Sequence, residues 1–213
     1  MYSKLKIKIC GMTDIDNLCK ILFLAPDYLG FIFFPTSPRY VVGKLDPDQL
    51  SIIPPRVKRV GVFVDADETD LRRQAEAYGL TTLQLHGRET PEFCSRMRAA
   101  GFEVVKAFRI ADQRDFENVE QYADSVDAYL FDTKATRVGG NGYEFDWQLL
   151  LRQPLRKPWF LAGGLSPQNI EEAAQTGAAV LDLNSCFESA PGIKDYDLLR
   201  DAIGRVRRIR NCD

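Results

Sequence analysis

The chain has 213 residues, of which 45% are hydrophobic and 27% are charged, and its formal net charge is −2. These values are typical of a soluble globular protein with a full core, and the scattered basic residues exclude a nucleic-acid-binding stripe and a polybasic membrane patch. No stretch approaches the roughly 18 apolar residues of a membrane span, and no apolar run of signal-peptide length is present, so we expect a cytoplasmic protein.

Eight strand-like runs alternate with helical patterns along the chain. The runs lie at 5–9, 29–33, 57–64, 81–85, 103–108, 128–132, 158–162 and 178–183. Helix starts are indicated where a capping residue precedes proline, at Asp46-Pro47, Thr90-Pro91 and Ser166-Pro167, the last before 168–175. Asp195 opens a final helix with one apolar face, and 111–122 is the weakest helical pattern.

This alternation predicts an α/β fold, a single (β/α)8 TIM barrel over residues 1–213. Each unit takes about 27 residues, which is short for such a barrel. An open doubly wound sheet is the alternative, because alternation alone does not show closure. The glycine fingerprint of dinucleotide-binding folds is missing, and no linker divides the chain.

Polar side chains share one face near the carboxyl ends of three predicted strands. Alternation places Lys8 with Cys10, Gln84 with His86, and Asp182 with Asn184. A strand covered by helices is expected to be apolar throughout, so these residues indicate a polar barrel interior at the end where barrel enzymes have their active sites. The alternative is a hydrogen-bond network that only stiffens the barrel.

Cys10 is the candidate base of such a site. It ends the first strand and is followed by Gly11 and a helix start at Thr13-Asp14. Lys8 lies two residues earlier on the same face, and a nearby ammonium favours the thiolate, so we expect the pKa of Cys10 to be lowered. Lys8 pairing with Asp182 instead is an open alternative, as is a buried structural role for the cysteine.

Asp132 is the candidate acid. It follows four apolar or aromatic residues, and partial desolvation favours the protonated form that a proton donor needs. The alternative is a loop or capping carboxylate. After it comes Gly139-Gly140-Asn141-Gly142, which is either a mobile lid or a plain turn.

Two loops are candidates for binding phosphate. Gly163-Gly164 follows the seventh strand, and Asn184-Ser185 follows the eighth and precedes a predicted short helix at 186–189. Barrels commonly bind phosphate after these two strands, where backbone N–H groups are free to contact an anion.

The five cysteines are odd in number, show no C-x-x-C spacing and accompany a single histidine. This set does not match the ligand clusters of zinc sites, and we expect no metal and reduced thiols.

An ordered set of short motifs covers nearly the whole chain and resembles the phosphoribosylanthranilate isomerase family of tryptophan biosynthesis. The segments are Lys8-Ile9-Cys10-Gly11-Met12, Gly30-Phe31-Ile32-Phe33, Ser37-Pro38-Arg39-Tyr40, Gly61-Val62-Phe63-Val64, Gln84-Leu85-His86-Gly87, Phe131-Asp132-Thr133-Lys134, Gly139-Gly140-Asn141-Gly142, Phe145-Asp146-Trp147, Ala162-Gly163-Gly164-Leu165 with Asn169, and 182–188 with Pro191-Gly192 and Lys194-Asp195.

The resemblance implies a barrel that carries out the Amadori rearrangement of N-(5-phosphoribosyl)anthranilate to 1-(2-carboxyphenylamino)-1-deoxyribulose 5-phosphate without cofactor or metal. It implies Asp132 as general acid, Cys10 as general base and Arg39 as the ligand of the anthranilate carboxylate, with the phosphate on the two loops named above. The predicted substrate-binding set is Arg39, His86, Gln84, Lys8, Asp182, Gly163, Gly164, Asn184 and Ser185. As partners we expect this small phosphoribosyl substrate, no nucleic acid and no membrane, in a monomer or homodimer.

One residue departs from the family pattern, and two other kinds of function compete. Position 186 is Cys where the family usually has a small residue beside the phosphate, which is tolerated if the backbone there has negative φ. A histidine-pathway ribonucleotide isomerase would have Asp at the position of Cys10, and indole-glycerol-phosphate synthase relies on Lys and Glu at strand ends that this chain lacks. A silent barrel that binds a phosphorylated metabolite is the non-enzymatic alternative.

Overall fold

A computed structural model describes residues 5–133 and 147–209. The Gly139-Gly140-Asn141-Gly142 segment, and with it the choice between lid and turn, lies outside the described residues. In the described part no helix has the length and apolar character needed to cross a membrane.

Eight parallel strands form a closed barrel in the order of the chain. They are β1 Lys6–Cys10, β2 Tyr28–Ile32, β3 Lys58–Phe63, β4 Thr82–Leu85, β5 Glu103–Ile110, β6 Ala128–Thr133, β7 Trp159–Leu161 and β8 Val180–Leu183. The barrel closes where β1 pairs with β8, with Lys8 opposite Asp182. The predicted barrel and all eight predicted strands are confirmed, with ends that differ by a few residues.

Helices follow the strands around the outside. The α-helices are α1 Ile15–Leu22, α2 Glu68–Ala77, α3 Pro91–Ala99, α4 Gln148–Leu151, α5 Ile170–Ala173 and α6 Tyr196–Ile209. The 3-10 helices are Pro47–Ile52, Gln113–Phe116, Glu120–Tyr122 and Ser185–Phe187. Asp14, Thr90 and Asp195 accept hydrogen bonds from backbone N–H groups of the following turn, so the predicted caps stop these helix ends from fraying.

Two predicted helices are wrong in part, and the local hydrogen bonds show why. In 111–122 the side chains of Asp112 and Asp115 bind nearby backbone N–H groups, which favours a short 3-10 turn over an α-helix. The helix predicted after Ser166-Pro167 is only Ile170–Ala173, because Asn169 binds back to the N–H of Ser166 and holds the preceding residues in a turn.

The segment after β8 also differs from the prediction. In place of a helix over 186–189, a 3-10 turn leads into a hairpin of β9 Glu188–Ala190 and β10 Ile193–Lys194. Gly192 has φ of +90°, which favours glycine and lets the chain reverse between the two strands. The hairpin brings Glu188 and Lys194 to the carboxyl end of the barrel.

The apolar residues divide into two clusters, one between sheet and helices and one inside the barrel. Outward side chains such as Ile7, Ile9 and Leu83 pack beneath the helices. The interior cluster is small and consists of Tyr28, Val60, Val105, Ala107, Ala128, Leu130, Phe160, Ala162 and Val180. Between this interior cluster and the carboxyl ends of the strands the barrel interior is polar, and a cavity lined by polar side chains opens there.

Candidate active site

A cavity of about 230 Å³ opens at the carboxyl end of the barrel. Most of the predicted site residues line it: Cys10, Gln84, His86, Asp132, Gly163, Gly164, Asp182, Asn184 and Ser185. Apolar side chains of Ile32, Val62 and Leu165 complete the wall. The candidate base on β1 and the candidate acid on β6, three strands apart around the barrel, therefore face one space. Lys8 and Arg39 are the two predicted residues that are not part of this lining.

Lys8 is a fully buried charge beside the cavity. Its Nζ donates to Asp182 Oδ2 at 2.6 Å and to Gln84 Oε1 at 2.7 Å. Burial alone would lower the pKa of this ammonium, but the charges of Asp182 and Cys10 raise it, and the net shift is upward. Lys8 is therefore a fixed positive charge, and the pairing with Asp182 that the sequence left open is present in the structure.

Cys10 is almost completely buried, with 3% of its surface exposed. Gly30 on β2 leaves room for its sulfur, because a Cβ at that glycine would lie only 2.6 Å from Sγ. The expectation of a lowered pKa is wrong. Burial raises the pKa of the Cys10 thiol, and Lys8 opposes this shift without overcoming it. In the ligand-free protein the thiol is therefore favoured, and Lys8 limits the cost of forming the thiolate.

A row of polar side chains connects Lys8 with Asp132. Gln84 Nε2 lies 3.1 Å from Nδ1 of His86, and Nε2 of His86 lies 3.2 Å from Oδ2 of Asp132. Gln84 is buried, whereas His86 and Asp132 are partly exposed to the cavity. The shared faces predicted for β1, β4 and β8 thus meet in one network.

Asp182 lines the cavity and has one buried oxygen without a partner among the described residues. Its Oδ2 accepts from Lys8, while its Oδ1 is buried without a hydrogen-bond partner in the described part of the chain. Burial raises the pKa of this carboxyl, and Lys8 opposes the shift. A buried unpaired acceptor is costly, so its presence in the cavity wall favours a functional role for Asp182 over a purely structural one.

The loops after β7 and β8 form one side of the cavity. Gly163 and Gly164 have φ of +74° and +69°, a conformation that turns the backbone sharply and favours glycine. Asn169 braces this loop by donating to the carbonyl of Gly164 at 3.0 Å. Cys186 is not among the described residues with positive φ, so its side chain fits the local backbone without strain.

Arg39 lies above Gly11, next to Asn184, and belongs to a second ionic network. Glu188 binds its guanidinium and also accepts from Lys194 Nζ at 2.6 Å. Lys194 in turn donates to Asn184 Oδ1 at 2.8 Å. The residue predicted to bind a carboxylate is therefore connected through Glu188 and Lys194 to the loop predicted to bind phosphate.

Sequence reasoning assigned no role to Glu188, Lys194 or Asn17, although the first two lie in the motifs after β8. The side-chain amide of Asn17 binds both the N–H and the carbonyl of Lys194 at 2.8 Å, which fixes the hairpin to α1. The sequence feature that could have indicated the Glu188–Lys194 ion pair is the presence of oppositely charged residues on either side of the Pro191-Gly192 turn.

Within the described ranges, no three His, Cys, Asp or Glu side chains are grouped so as to hold a metal ion. The four cysteines that the structure describes are free thiols.

Comparison with known proteins identifies the family. The sequence profile described as N-(5'phosphoribosyl)anthranilate (PRA) isomerase matches residues 7–205. The N-(5'-phosphoribosyl)anthranilate isomerase of Parabacteroides distasonis is 39% identical over 209 residues, covering 94% of this chain and 92% of that protein. The chain belongs to the phosphoribosylanthranilate isomerase family.

Solved structures of this family agree with the fold. The phosphoribosyl anthranilate isomerase of Thermotoga maritima is 33% identical, with a TM-score of 0.84, and the match covers 96% of this chain and 100% of that one. A phosphoribosyl anthranilate isomerase in complex with reduced 1-(o-carboxyphenylamino)-1-deoxyribulose 5-phosphate is 31% identical, with a TM-score of 0.81 and coverage of 96% and 100%. The family, the barrel and the assignment to an isomerase of tryptophan biosynthesis are confirmed.

Proposed function

We propose that this chain catalyses the Amadori rearrangement of N-(5-phosphoribosyl)anthranilate by general acid–base catalysis. One observation carries the proposal: Cys10 and Asp132 line the same cavity from two separate strands of the barrel, β1 and β6. A base and an acid on two sides of a bound sugar are what proton transfer next to an imine requires. Family membership identifies the substrate class.

In the first step Asp132 gives its proton to the ring oxygen of the ribose. The bond between that oxygen and C1 breaks, the nitrogen lone pair forms the C=N bond of a protonated Schiff base, and Asp132 becomes a carboxylate. Cys10, after its thiol has lost a proton to the solvent, removes the proton from C2 as the thiolate. The electrons of the C–H bond form the C1=C2 bond of the enolamine, and the C=N electron pair returns to nitrogen. Tautomerisation of the enolamine gives the ketone.

Lys8 supports the base rather than contacting the substrate. Its ammonium is buried and held by Asp182 and Gln84, and it lowers the cost of the Cys10 thiolate. Asp182 lines the cavity and accepts a hydrogen bond from a hydroxyl of the substrate. Gln84 and His86 line the cavity between the base and the acid, where they contact the bound sugar.

The two ends of the substrate are charged, and each has a site. The phosphate binds the loops carrying Gly163-Gly164 and Asn184-Ser185, where the backbone approaches closely because glycine has no side chain. Arg39 binds the anthranilate carboxylate, for which a planar guanidinium provides paired donors. No nucleic acid, membrane, cofactor or metal takes part.

The protein acts as a single catalytic domain over residues 1–213, as a monomer or homodimer in the cytoplasm. The free thiols of the described cysteines agree with a reducing compartment. Light scattering coupled to gel filtration measures the assembly state directly.

The test is the loss of anthranilate fluorescence from freshly made phosphoribosylanthranilate. Wild-type protein should accelerate the loss far beyond spontaneous breakdown, and Cys10→Ala should lower kcat by about 100-fold or more with a smaller change in KM. Cys19→Ala is the matched control, because Cys19 is an exposed cysteine on α1. No acceleration by wild type contradicts the reaction, and an unchanged kcat in Cys10→Ala contradicts the base.

A further inference from the structure

The donor and acceptor chemistry of the row Lys8–Gln84–His86 determines where the proton of His86 sits. An ammonium has donors only, so the Gln84 atom that lies 2.7 Å from Lys8 Nζ must be the amide oxygen. The same ammonium also donates to Asp182, which keeps it protonated. The orientation of the Gln84 amide therefore follows from its neighbour and not from an arbitrary choice between O and N.

The other end of that amide faces the imidazole. Gln84 Nε2 carries two N–H donors and no acceptor, and it lies 3.1 Å from Nδ1 of His86. Nδ1 must therefore present a lone pair. An imidazole with an unprotonated Nδ1 carries its proton on Nε2, so a fixed charge two side chains away selects the tautomer.

The protonated nitrogen is directed towards the acid. Nε2 of His86 lies 3.2 Å from Oδ2 of Asp132, and catalytic contacts of this kind commonly tighten when the substrate binds. A carboxyl oxygen that accepts from an N–H group is the unprotonated one of the pair. The other oxygen, Oδ1, is not the one that His86 contacts, so it is the oxygen that can carry the transferable proton.

We propose that Lys8 and Gln84 hold His86 as the Nε2–H tautomer, that His86 positions Asp132 through Oδ2, and that Asp132 delivers its proton from Oδ1. Gln84 and His86 are then positioning residues for the acid. This inference rests on the proposed function, in which Asp132 protonates the ring oxygen.

His86 lies between two cavities, and titratable or charged groups line both. Besides Asp132, the catalytic cavity contributes Cys10 and Asp182, and the adjoining groove contributes Asp65, Arg88, Lys106 and Arg109. Of the carboxylates among them, Asp132 alone lies within 4 Å of a ring nitrogen of His86 in the part of the chain that the structure describes. Within the described residues, the Gln84 contact is therefore the one that selects the tautomer on the Nδ1 side.

The chain offers a direct measurement, because His86 is its single histidine. Nitrogen-15 NMR of protein labelled at the imidazole nitrogens gives one pair of signals and needs no assignment. In the substrate-free wild type we expect an imine-type Nδ1 signal and a proton-bearing Nε2. A proton on Nδ1 in the wild type overturns the proposal.

Gln84→Glu tests whether the Gln84 amide, by donating to Nδ1, determines which nitrogen of His86 carries the proton. A carboxylate at position 84 still accepts from Lys8, but its second oxygen accepts from His86, so the proton is drawn to Nδ1. We expect the Nδ1 signal to change to the proton-bearing type and kcat to fall about 10-fold or more, with a smaller change in KM. An unchanged imidazole spectrum in this variant contradicts the proposal, whatever happens to the activity.

Gln84→Met serves if the carboxylate variant does not fold. It keeps the length of the side chain but has no donor for Nδ1, and we expect the two tautomers to exchange rather than a single Nε2–H form. Thr82→Val is the matched control, because Thr82 is buried on the same strand and its hydroxyl donates to Glu103 at 2.8 Å, away from the cavity. Its imidazole spectrum and kcat should equal those of wild type.

The NMR experiment uses no substrate, so it separates this inference from the proposed function. A wild type that is inactive on phosphoribosylanthranilate but shows the Nε2–H spectrum contradicts the proposed function and supports the tautomer inference. An active wild type with a proton on Nδ1 of His86 contradicts the tautomer inference and leaves the proposed function standing.

Discussion

Arg39 and Glu188 form a forked ion pair between the loop after β2 and the hairpin after β8. Arg39 Nε lies 2.9 Å and 3.0 Å from the two carboxylate oxygens, and Nη2 lies 2.5 Å from Oε2. Burial alone would raise the pKa of Glu188, but hydrogen bonds from Arg39 and Lys194 lower it, and the net shift is downward. Glu188 is therefore a fixed anion that orients the guanidinium.

We expect Glu188→Gln to raise KM about 10-fold, with a smaller effect on kcat, because the guanidinium loses the charge-assisted contacts that orient it. Arg39→Ala should also act mainly on KM. Steady-state kinetics of both variants measure this, with Glu171→Gln on α5 as the control. A lower KM in Glu188→Gln would instead show that Glu188 competes with the substrate carboxylate for Arg39.

Asp132→Asn keeps the shape of the proposed acid and removes its transferable proton. The side-chain oxygen of asparagine still accepts from Nε2 of His86, so the cavity should keep its geometry. We expect kcat to fall by about 100-fold or more and KM to change little. Asp124→Asn is the control, since Asp124 is 91% exposed and is not part of the cavity lining. Near-normal turnover in Asp132→Asn would remove this residue from the role of acid.

The parts of the site that the sequence predicts best are those that depend only on the alternation of side chains between the two faces of a strand. Lys8 and Cys10, and Gln84 and His86, were placed on shared faces, and the structure brings all four to the polar end of the barrel. A period of two residues is a local property, so no knowledge of the tertiary structure was needed.

Other features depend on contacts between distant residues and were not predictable in this way. Arg39 and Glu188 are 149 positions apart, and their pairing requires the hairpin after β8 to fold back over β1. The sign of the pKa shift of Cys10 depends on how completely the barrel excludes water from the thiol. The sequence shows that Lys8 is near Cys10, but it does not show how deeply the thiol is buried. Burial raises the pKa of Cys10 by more than Lys8 lowers it.

Lys8→Met tests the electrostatic support of the base. Burial raises the pKa of Cys10 and Lys8 opposes the shift, so removing the ammonium should raise this pKa further. The thiolate fraction at neutral pH then falls, and the rise of kcat/KM with pH should move to higher pH than in wild type. A pH profile of unchanged position would contradict the role of Lys8.

The same variant leaves the carboxylate of Asp182 buried without its partner. We expect a loss of about 3–5 kcal/mol in the free energy of unfolding, measured by urea denaturation. Lys8→Met combined with Asp182→Asn removes the unpaired charge and should recover part of this stability. It should not recover activity at neutral pH, which separates the effect on the fold from the effect on the base.

The buried thiol of Cys94 on α3 should make the free energy of unfolding depend on pH in alkaline solution. The thiol is fully buried, and burial raises its pKa to about 12 from an ordinary value of 9.0. A group whose pKa is raised in the folded state holds its proton more tightly there. Its contribution to stability is therefore present below about pH 9 and is lost as the pH rises from about 9 towards 12.

The free energy of unfolding should decrease with pH in this range, and Cys94 contributes a slope of up to about 1.4 kcal/mol per pH unit. Cys94→Ala should be less stable at neutral pH, because it leaves a cavity, but its stability should fall less steeply above about pH 9. Urea denaturation at a series of pH values measures both slopes. Cys19→Ala should keep the wild-type slope, since Cys19 is exposed. Equal slopes in wild type and Cys94→Ala would show that the Cys94 thiol does not contribute to the alkaline loss of stability.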